Sequence, residues 1–262
     1  MKIDVVISDN RFGLWNKSVK TIFVTHQLMI KMPTWAKFLE KVVHRFNIFF
    51  VKKFDHCWIP DFEGQFNISG NLSHRFALPP SAKFIGALSR FSLDGKQVKI
   101  ENPPNVLLIL SGLEPQRSIL EQIVLEQLEA SKYSAVVLRG KPKEKTDYRI
   151  KGKIQVLSHL PAQQMKQLML SAKHIICRSG YSSLMDLASI KRNAILIPTP
   201  GQTEQEYLAQ LLKDTKQFYS IAQHKFKLEE AIAASKNYHL NLPAAKLSFT
   251  EKVILHDLTS DS

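Results

Sequence analysis

Short apolar runs alternate with segments of helical periodicity from Asn105 onward, and this alternation constrains the fold more than any other feature of the sequence. The runs are rich in Val, Ile and Leu, which is typical of strands buried on both faces. They are VLLIL (106–110), AVVL (135–138), IQVL (154–157), HIIC (174–177) and AILI (194–197). Helix-period segments lie between them at 117–130, 162–171, 182–190 and 204–212. The alternation predicts a parallel sheet with helices on both sides, which is the doubly wound α/β architecture.

The first hundred residues predict a smaller sheet. Strands are expected at Val5–Ile7, Thr21–Thr25 and His56–Ile59, with a further short run at KFIGAL (83–88) and one long helix from about Trp35 to Phe54. Three or four strands make an incomplete sheet. Gly95, Pro103 and Pro104 indicate a linker at 94–105. We therefore expect a partial first domain at 1–93 and a second, complete domain at 106–262.

The charge balance narrows the class of partner. Lys and Arg outnumber Asp and Glu by 36 to 23, which gives a net charge of +13. Such a charge favours nucleic acid, an acidic lipid surface or a phosphorylated small molecule. Nucleic acid is the least favoured of the three, because the basic residues are scattered and form no basic motif interleaved with aromatic residues.

The cysteines and the opening residues indicate the cell compartment. Cys57 and Cys177 both have apolar neighbours, which is typical of reduced core residues in a cytoplasmic protein. No CxxC or His-rich spacing indicates a metal site. The opening KIDVVIS lacks the regions of a signal peptide, and no apolar run approaches the ~20 residues of a membrane span. We therefore expect a cytoplasmic protein that is neither exported nor membrane-spanning.

Small, polar or cationic residues follow four of the runs, at the strand ends where a parallel sheet binds its ligands. Ser111 and Gly112 form a bare turn after VLLIL, where the backbone can approach a phosphate and Arg117 can reach it. Arg139 and Gly140 follow AVVL. An ordinary turn with a solvated Arg explains Ser111, Gly112 and Arg117 equally well, and a lone Arg at a strand end, such as Arg139, is more often solvated than a ligand.

The turn after HIIC has the composition of an anion site. It carries one glycine and three hydroxyls: Ser179, Gly180, Ser182 and Ser183. The helix that follows presents free N–H groups and a dipole that attract an anion such as a diphosphate. Asp186, about one turn inside the helix, can accept hydrogen bonds from ribose hydroxyls. Ser183 and Asp186 also fit a capping box that needs no ligand, and the two interpretations are compatible.

The loop after AILI repeats this layout with different chemistry. Pro198, Pro200 and Gly201 make it rigid, and a helix follows. The helix opens with amide and carboxylate groups, which suit a polyhydroxylated ligand better than a phosphate: Gln202, Glu204, Gln205 and Glu206. A capping box of Thr203 with Glu206 explains part of this pattern.

These segments resemble the donor domain of GT-B glycosyltransferases, most closely the MurG-like group (family 28 C-terminal domain). The residues that carry the resemblance are SGLEPQRS (111–118), HLP (159–161) and CRSGYSSLMDLASIKRNAILIPTPGQTEQEYLAQ (177–210). The long block keeps the family order of strand, Gly/Ser turn, acid, strand, Pro-Gly loop and Gln/Glu helix. The resemblance implies a GT-B-like α/β fold of two Rossmann-like domains with parallel sheets, the first one incomplete. It also implies an acceptor-side role for residues 1–93 and a donor-binding role for 106–262.

The resemblance implies a role for each matching position. The residues implied to bind the donor nucleotide are Ser111, Gly112, Arg117, Arg139, His159, Leu160, Ser179, Gly180, Ser182, Ser183 and Asp186. Among these, Asp186 would take the ribose, where the family usually has Glu. The residues implied to meet the donor sugar are Gln202, Gln205 and Glu206. The implied donor is a UDP-sugar, which is a substrate, and no metal or other cofactor is required.

The amino-terminal part departs from the family, whose first domain opens with a strand and a Gly-rich loop with a nearby His. KIDVVISDNRFGL resembles a middle strand of that domain, so we expect an amino-terminally shortened protein. In one interpretation, a second chain supplies the missing part. Inverting transfer needs a base for the acceptor hydroxyl. The candidates at predicted strand ends are Asp9 and His26, and a packed loop histidine is an equal interpretation of His26.

The long predicted helix carries apolar residues at helical spacing with basic residues elsewhere. The apolar residues are Trp35, Phe38, Leu39, Val42, Val43, Phe46, Phe49 and Phe50. A stripe of this kind usually belongs to a core. It also fits a basic, aromatic face on an anionic membrane, which would suit a lipid-linked acceptor.

The sequence therefore predicts a glycosyltransferase that moves a sugar from a nucleotide sugar, with UDP as the nucleotide, to an unknown, lipid-linked acceptor. We expect it in the cytoplasm, peripheral on the inner face of the membrane. The alternatives are a nucleotide-sugar-binding subunit or inactive fragment that lacks the catalytic base, and a nucleotide-sugar epimerase.

Overall fold

The computed structural model of the chain describes residues 3–32, 34–91, 100–144, 147–241 and 249–259. These residues form two compact units. The first contains the residues up to Leu88 together with the last helix, and the second runs from Ser89 to Asn241. Half of the predicted linker, residues 94–99, lies outside the described residues.

The first unit is built on a four-stranded parallel sheet. In chain order the strands are β1 (Val5–Asp9), β2 (Lys20–Val24), β3 (His56–Ile59) and β4 (Ala82–Phe84), and they lie in the same order in the sheet. The helices are α1 (Glu40–Val51) and the short α2 (Asn71–His74), with 3₁₀ turns at Phe12–Leu14 and Thr34–Leu39. The sequence predicted three of these strands and the position of the fourth. The single long helix expected from Trp35 is instead a 3₁₀ turn followed by α1.

The two faces of this sheet have separate cores. On one face, Phe23 and Cys57 pack with Phe54 and with Val51 of α1. On the other face lies the last helix of the chain, α8 (Phe249–Thr259). Alternate residues of one strand therefore serve different cores, as the period of two requires.

Helix α8 belongs to the first unit, which corrects the prediction that the second domain extends to residue 262. Val253 of α8 packs on the sheet in a cluster with Ile22 and Trp58. Asp257, only 1% exposed, accepts hydrogen bonds from Trp58 Nε1 at 2.7 Å and from Lys83 Nζ. No local pattern indicates this return, because it depends on contacts about two hundred positions apart.

The second unit is a seven-stranded sheet flanked by helices. Its strands are β5 (Val106–Ile109), β6 (Ala135–Leu138), β7 (Tyr148–Ile150), β8 (Ile154–Leu157), β9 (His174–Cys177), β10 (Ile195–Leu196) and β11 (Tyr219–Ser220). Its helices are α3 (Gln116–Ala130), α4 (Ala162–Ser171), α5 (Tyr181–Ser189), α6 (Thr203–Asp214) and α7 (Leu228–Ser235), with a 3₁₀ turn at Gln223–Lys225. All five predicted runs contain a strand, and all four predicted helical segments are helices.

The strand order in this sheet is β11-β10-β9-β5-β6-β8-β7. Every pair is parallel except β7 with β8. The central strand β5 is fully covered, since Val106, Leu107 and Leu108 are each 0% exposed. Burial on both faces is the reason that these strands read as continuous aliphatic runs. No helix within the described ranges is long and apolar enough to cross a membrane.

Candidate functional site

The candidate site lies at the carboxyl ends of the neighbouring strands β5 and β9, where sheets of this type have their ligand crevice. From β5 the chain continues outward to β6 on one side, and later returns to β9 on the other side of β5. This reversal is the topological switch point at which open parallel sheets bind ligands. The loops at 110–115 and 178–180 follow two neighbouring strands, so they lie side by side at this switch point.

Glycines allow the loops on both sides of β5 to approach closely. Gly112 has a φ of +91°, and a Cβ on it would lie 4.0 Å from Thr199 Oγ1 in the loop after β10. Gly140, after β6, has a φ of +67°, and a Cβ there would lie 2.6 Å from the carbonyl oxygen of Leu110. A side chain at Gly140 cannot be accommodated without moving the backbone of β5. The ends of β5, β6 and β10 thus meet at one edge.

Helix α5 begins directly at the crevice with its N-terminus uncapped. Its N-cap residue is Gly180, and among the described residues no side chain forms a capping hydrogen bond with it. The predicted capping box of Ser183 with Asp186 is therefore wrong, because the helix starts two residues before Ser183. Ser182 is exposed and Ser183 is half-buried. Both residues belong to the first turn of α5, so their hydroxyls lie at the positive end of the helix dipole.

Ser179 differs from the other serines of this turn. It is 0% exposed, and its Oγ donates to the carbonyl oxygen of Gln205 at 2.8 Å. The prediction that its side chain holds a phosphate is corrected, since the hydroxyl joins the turn to α6. Ser179 thus positions the loop, and Ser182 and Ser183 remain the accessible hydroxyls.

Asp186 lies inside α5 and is 6% exposed. Ser89 Oγ donates to its Oδ1 at 2.6 Å, and Arg90 Nε donates to its Oδ2 at 3.0 Å. The predicted ribose contact would have to share oxygens that already accept hydrogen bonds from the protein. The acid is therefore anchored to the segment that enters the second unit.

The first turn of α6 brings the three predicted sugar-binding residues together. Gln205 Oε1 accepts from the backbone N–H of Thr199 at 3.0 Å, and Gln205 Nε2 donates to Gln202 Oε1. Glu206 Oε1 accepts from the N–H of Gly201 at 2.9 Å. The predicted capping box of Thr203 with Glu206 is wrong, because α6 has Gln202 as its N-cap residue and Glu206 accepts from Gly201 and not from Thr203.

Arg178 connects the loops of the crevice, and sequence reasoning missed it. It is 1% exposed, and its guanidinium donates to the carbonyl oxygens of Ile197 and Pro198 at 3.2 Å each and of Gln116 at 2.6 Å. Burial lowers the pKa of Arg178 to about 10, which leaves it charged at neutral pH. The signal was available in the sequence, since an Arg directly after a buried strand needs partners.

The two other arginines at this edge form ion pairs with glutamates. Arg117 pairs with Glu114 at 2.6 Å, and Arg139 pairs with Glu121 at 2.7 Å and with Glu144 at 3.0 Å. Hydrogen bonds from Arg117 and Ser118 lower the pKa of Glu114 to about 2. Contact of either guanidinium with a nucleotide would thus compete with protein carboxylates.

The remaining predicted donor residues follow β8. His159 is exposed and Leu160 is half-buried, so both are accessible at the same edge of the sheet. The loop before them is held by Asp147, whose Oδ1 accepts from the N–H and the hydroxyl of Ser158 at 2.8 and 2.9 Å. These hydrogen bonds lower the pKa of Asp147.

The two candidate bases lie in the first unit at the carboxyl edge of its sheet. Asp9 ends β1 opposite Val24 of β2, and His26 comes two residues after Val24. Asp9 is exposed and His26 is half-buried. Within the described ranges, no group of three or more His, Cys, Asp or Glu side chains is arranged to hold a metal.

A second histidine at this edge was not predicted. His74 Nδ1 lies 3.0 Å from Ser73 Oγ, and its Nε2 lies 3.0 Å from the carbonyl oxygen of Phe62. Asp61, 0% exposed, accepts from the N–H groups of Ile68 and Ser69 in the same loop. Both ring nitrogens of His74 thus have hydrogen-bond partners. This network stabilises the loop after β3, and we do not assign His74 as the base.

Two α/β units, each built on a sheet of mainly parallel strands, define a GT-B-like fold. Solved glycosyltransferases share this fold. SnogD from Streptomyces nogalater aligns with a TM-score of 0.60 at 10% identity, over 96% of this chain and 68% of its own. MurG from Acinetobacter baumannii aligns with a TM-score of 0.50 at 14% identity, over 93% and 63%.

The family follows from the sequence match. Residues 106–255, more than half of the chain, match the glycosyltransferase family 28 C-terminal domain, and the chain belongs to this family. A curated relative is the UDP-N-acetylglucosamine–N-acetylmuramyl-(pentapeptide) pyrophosphoryl-undecaprenol N-acetylglucosamine transferase of Bradyrhizobium sp. strain ORS 278, 29% identical over 133 residues. The match covers 47% of this chain and 36% of that protein. The chain thus spans about a third of the relative's length.

Proposed function

We propose that the second unit binds a UDP-sugar at its carboxyl edge and that the protein transfers the sugar to a lipid-linked acceptor. The observation that carries the proposal is the N-terminus of α5 at the β5/β9 switch point, with Gly180 as its N-cap residue and the bare turn at Gly112 after the neighbouring strand. The similar transferase of Bradyrhizobium takes its name from a UDP-sugar donor and an undecaprenol-linked acceptor.

Different residues of the second unit would bind the diphosphate, the sugar and the ribose of the donor. The N–H groups at the start of α5, with Ser182 and Ser183, would bind the diphosphate and stabilise its charge as it leaves the sugar. The amides of Gln202 and Gln205 would hold the sugar hydroxyls. Asp186 would accept from the ribose while it remains bonded to Arg90.

The first unit would supply the acceptor side and the base. Asp9 and His26 are the proposed candidates, because both lie at the carboxyl edge of its sheet. The base would take the proton of the acceptor hydroxyl as that oxygen forms a bond to the anomeric carbon and the bond to the diphosphate breaks. We place this reaction in the cytoplasm, at the inner face of the membrane.

Calorimetry with UDP tests the donor site directly. We expect UDP to bind, and Gln205→Ala to weaken binding of a UDP-sugar more than binding of UDP, since Gln205 is assigned to the sugar. Gln210→Ala on the same helix is the matched control, because Gln210 bonds only to Asp214 in the described structure. If neither UDP nor UDP-sugars bind, the proposal is wrong.

A nucleotide-sugar-binding subunit remains the second candidate. The observation in its favour is that the chain covers 36% of the curated relative, so groups found elsewhere in that relative have no counterpart in the match. Radiolabelled UDP-sugar with a polyprenyl-diphosphate acceptor separates the two. Donor binding without product favours the binding subunit. Product that the parent forms and that Asp9→Asn or His26→Gln loses favours the transferase.

A further inference from the structure

A cavity opens at the amino-terminal edge of the second sheet, opposite the edge that carries the candidate donor site. It lies beside the first residues of β9 and β10, and its volume is about 360 Å³. We call it the basic cavity, because its charged and titratable lining residues are Lys173, His174, Lys191, Arg192, Lys236 and His239. Within the part of the chain that the structure describes, no Asp or Glu lines it.

Three lysines reach the basic cavity from three loops, each shortly after a helix. Lys173 follows α4, Lys191 follows α5, and Lys236 is the C-cap residue of α7. A lysine at such a position complements the partial negative charge of a helix carboxyl end, which is equivalent to about half an elementary charge. The three helix ends therefore offset only about one and a half of the four permanent charges that the lysines and Arg192 provide. A surplus of positive charge remains.

No carboxylate neutralises this surplus. Among the described residues, the three lysines of the basic cavity form no ion pair. The cations at the carboxyl edge of the same sheet differ, since Lys141 lies 3.0 Å from Glu144 and Arg139 lies 2.7 Å from Glu121. Like charges held close together without a counter-charge repel one another and lower the stability of the fold. A bound anion would remove this repulsion.

The wall of the basic cavity is fixed by hydrogen bonds. Arg192 donates to two carbonyl groups at the end of α4, so its guanidinium shapes the wall. Asn193 Nδ2 donates to the carbonyl oxygens of Gln217 and Tyr238 at 2.9 Å each. Its Oδ1 accepts from the N–H of Leu240 at 2.9 Å. The backbone from which the lysines extend is therefore in place before a ligand enters, which lowers the cost of binding.

Neutral groups lie beside the cations. Burial lowers the pKa of His174, and the neighbouring cations lower it further, so its ring is neutral at pH 7. Tyr238 is half-buried in the lining, and Lys216 Nζ lies 5.0 Å from its ring centre. The basic cavity thus combines positive charge with a neutral imidazole and an aromatic ring, which suits a phosphate that carries an organic group.

Helix α5 separates the basic cavity from the candidate donor site. It begins at Tyr181, beside the β5/β9 switch point, and ends at Ser189, just before Lys191. Its nine residues span about 13 Å. A diphosphate at the start of α5 is therefore out of reach of the lysines at its other end, and the two sites are distinct.

We propose that the basic cavity binds a small molecule that carries a phosphate or diphosphate group, with the phosphate between Lys173, Lys191 and Lys236. A dianion or trianion matches the surplus of positive charge, and the volume leaves room for an organic group beside Tyr238. A recessed cavity favours a small ligand over a nucleic acid, whose backbone follows an extended basic surface. The inference goes beyond the transfer reaction and does not depend on it.

Amide NMR spectra of the full chain test where an anion binds. Inorganic diphosphate is the probe, added at low salt with UDP present to fill the donor site. We expect it to shift the amide signals of residues 173–175, 191–195 and 235–239 and to leave those of 181–183 unchanged. Diphosphate that shifts no signal of the basic cavity overturns the proposal.

The charges are tested by substitution. Lys173→Gln and Lys236→Gln should each lower the affinity for diphosphate about fivefold at low salt, and added salt should reduce the difference. Both side chains are exposed, so their replacement leaves the core intact. Lys132→Gln, an exposed lysine of the second unit outside the basic cavity, is the charge-matched control and should bind like the parent. An equal loss in the control would assign binding to the net charge and refute the site.

Thermal unfolding separates a ligand site from lysines that only complement helix ends. Lys236→Gln relieves repulsion, so the ligand-free variant should unfold at the same temperature as the parent or at a higher one. Diphosphate should raise the unfolding temperature of the parent more than that of the variant. A variant that is less stable than the parent, together with a parent that diphosphate does not stabilise, would refute the proposal.

Other outcomes identify other ligands. A single-stranded oligonucleotide that binds in a Lys173-dependent manner, while diphosphate does not bind, would assign this surface to nucleic acid and overturn the small-molecule proposal. The signals of residues 181–183 during a titration with UDP alone report on the donor site. Failure of the proposed function and failure of the basic cavity therefore give different spectra.

Discussion

Single side chains at the carboxyl edge of the second unit divide into those that face the crevice and those that hold it in shape. Ser182 and Ser183 are accessible, whereas Ser179 and Arg178 are buried and bond to backbone carbonyls. Sequence patterns identify the position of such a turn. They do not reveal which hydroxyl turns inward, because that depends on a carbonyl from another element, here that of Gln205 in α6.

Arg178 is the residue on which the shape of the crevice depends most. Arg178→Met leaves three carbonyl groups without their donor, and we expect it to lower the free energy of unfolding by about 3 kcal/mol. UDP affinity should fall as well, because the loops after β5 and β10 lose their common anchor. Urea unfolding and calorimetry measure the two effects.

Arg192→Met provides the matched control for this prediction. Arg192 donates to the carbonyl oxygens of Leu170 and Ala172 at the opposite edge of the same sheet. This variant should also lose stability and should keep its UDP affinity. Equal losses of affinity in both variants would show that general destabilisation, and not the crevice, is responsible.

Thr199 makes the opposite prediction for stability. Its Oγ1 is buried and has no hydrogen-bond partner within the described residues. Thr199→Val should therefore leave the stability of the ligand-free protein unchanged or raise it by up to about 1 kcal/mol. Thr21→Val is the contrast, because Thr21 Oγ1 donates to Asp55 at 2.9 Å, and it should be destabilising by a similar amount. Thermal unfolding compares them, and a destabilised Thr199→Val would mean that the hydroxyl has a partner.

At the scale of elements, patterns in the sequence predict what is long and locally determined. VLLIL and HIIC are strands because consecutive branched side chains require cover on both faces. Tyr219–Ser220 is a strand of two residues, too short to show any period, and it was missed. The capping box at Ser183 and Asp186 failed because α5 begins at Tyr181, which leaves Ser183 inside the helix. Asp186 bonds instead to Ser89 and Arg90, which no local pattern encodes.

Helix α8 depends on one buried carboxylate. Burial raises the pKa of Asp257, and hydrogen bonds from Lys83, Trp58 and His256 outweigh it, so the pKa lies below the ordinary 3.8. The folded state thus favours the charged form, and its contribution to stability is present above pH 3.8 and disappears as the pH falls through the lowered pKa.

Asp257→Asn should therefore lower the free energy of unfolding by about 2 kcal/mol at pH 7. The difference from the parent should shrink as the pH falls below 3.8. Hydrogen exchange of α8, followed by mass spectrometry at pH 7 and at a pH below 3.8, checks the effect. A difference that does not change with pH would mean that the carboxylate charge contributes nothing to docking.

At the scale of the whole molecule, the family and the α/β class were predictable, because an ordered block of about thirty residues carries them. The limits of the units were not. The last helix returns to the first sheet, and the return rests on a tryptophan and a lysine far away in the chain.

The second unit is continuous in sequence, from Ser89 to Asn241, and has its own core. We expect the fragment 89–241 to fold alone and to bind UDP within about tenfold of the full chain, since the whole predicted donor crevice lies inside it. Circular dichroism and calorimetry on the fragment provide the check. A fragment that folds and does not bind would place part of the nucleotide site elsewhere.

The return of α8 makes the first unit discontinuous, and this affects how the chain can be made and cut. A ribosome completes every strand of the first sheet long before it synthesises the helix that covers Trp58. That face of the sheet therefore stays exposed to solvent until the entire second unit has been synthesised. For the same reason, a protease cut between the second unit and α8 would detach part of the first unit's core. The stability of the first unit therefore depends on both ends of the polypeptide.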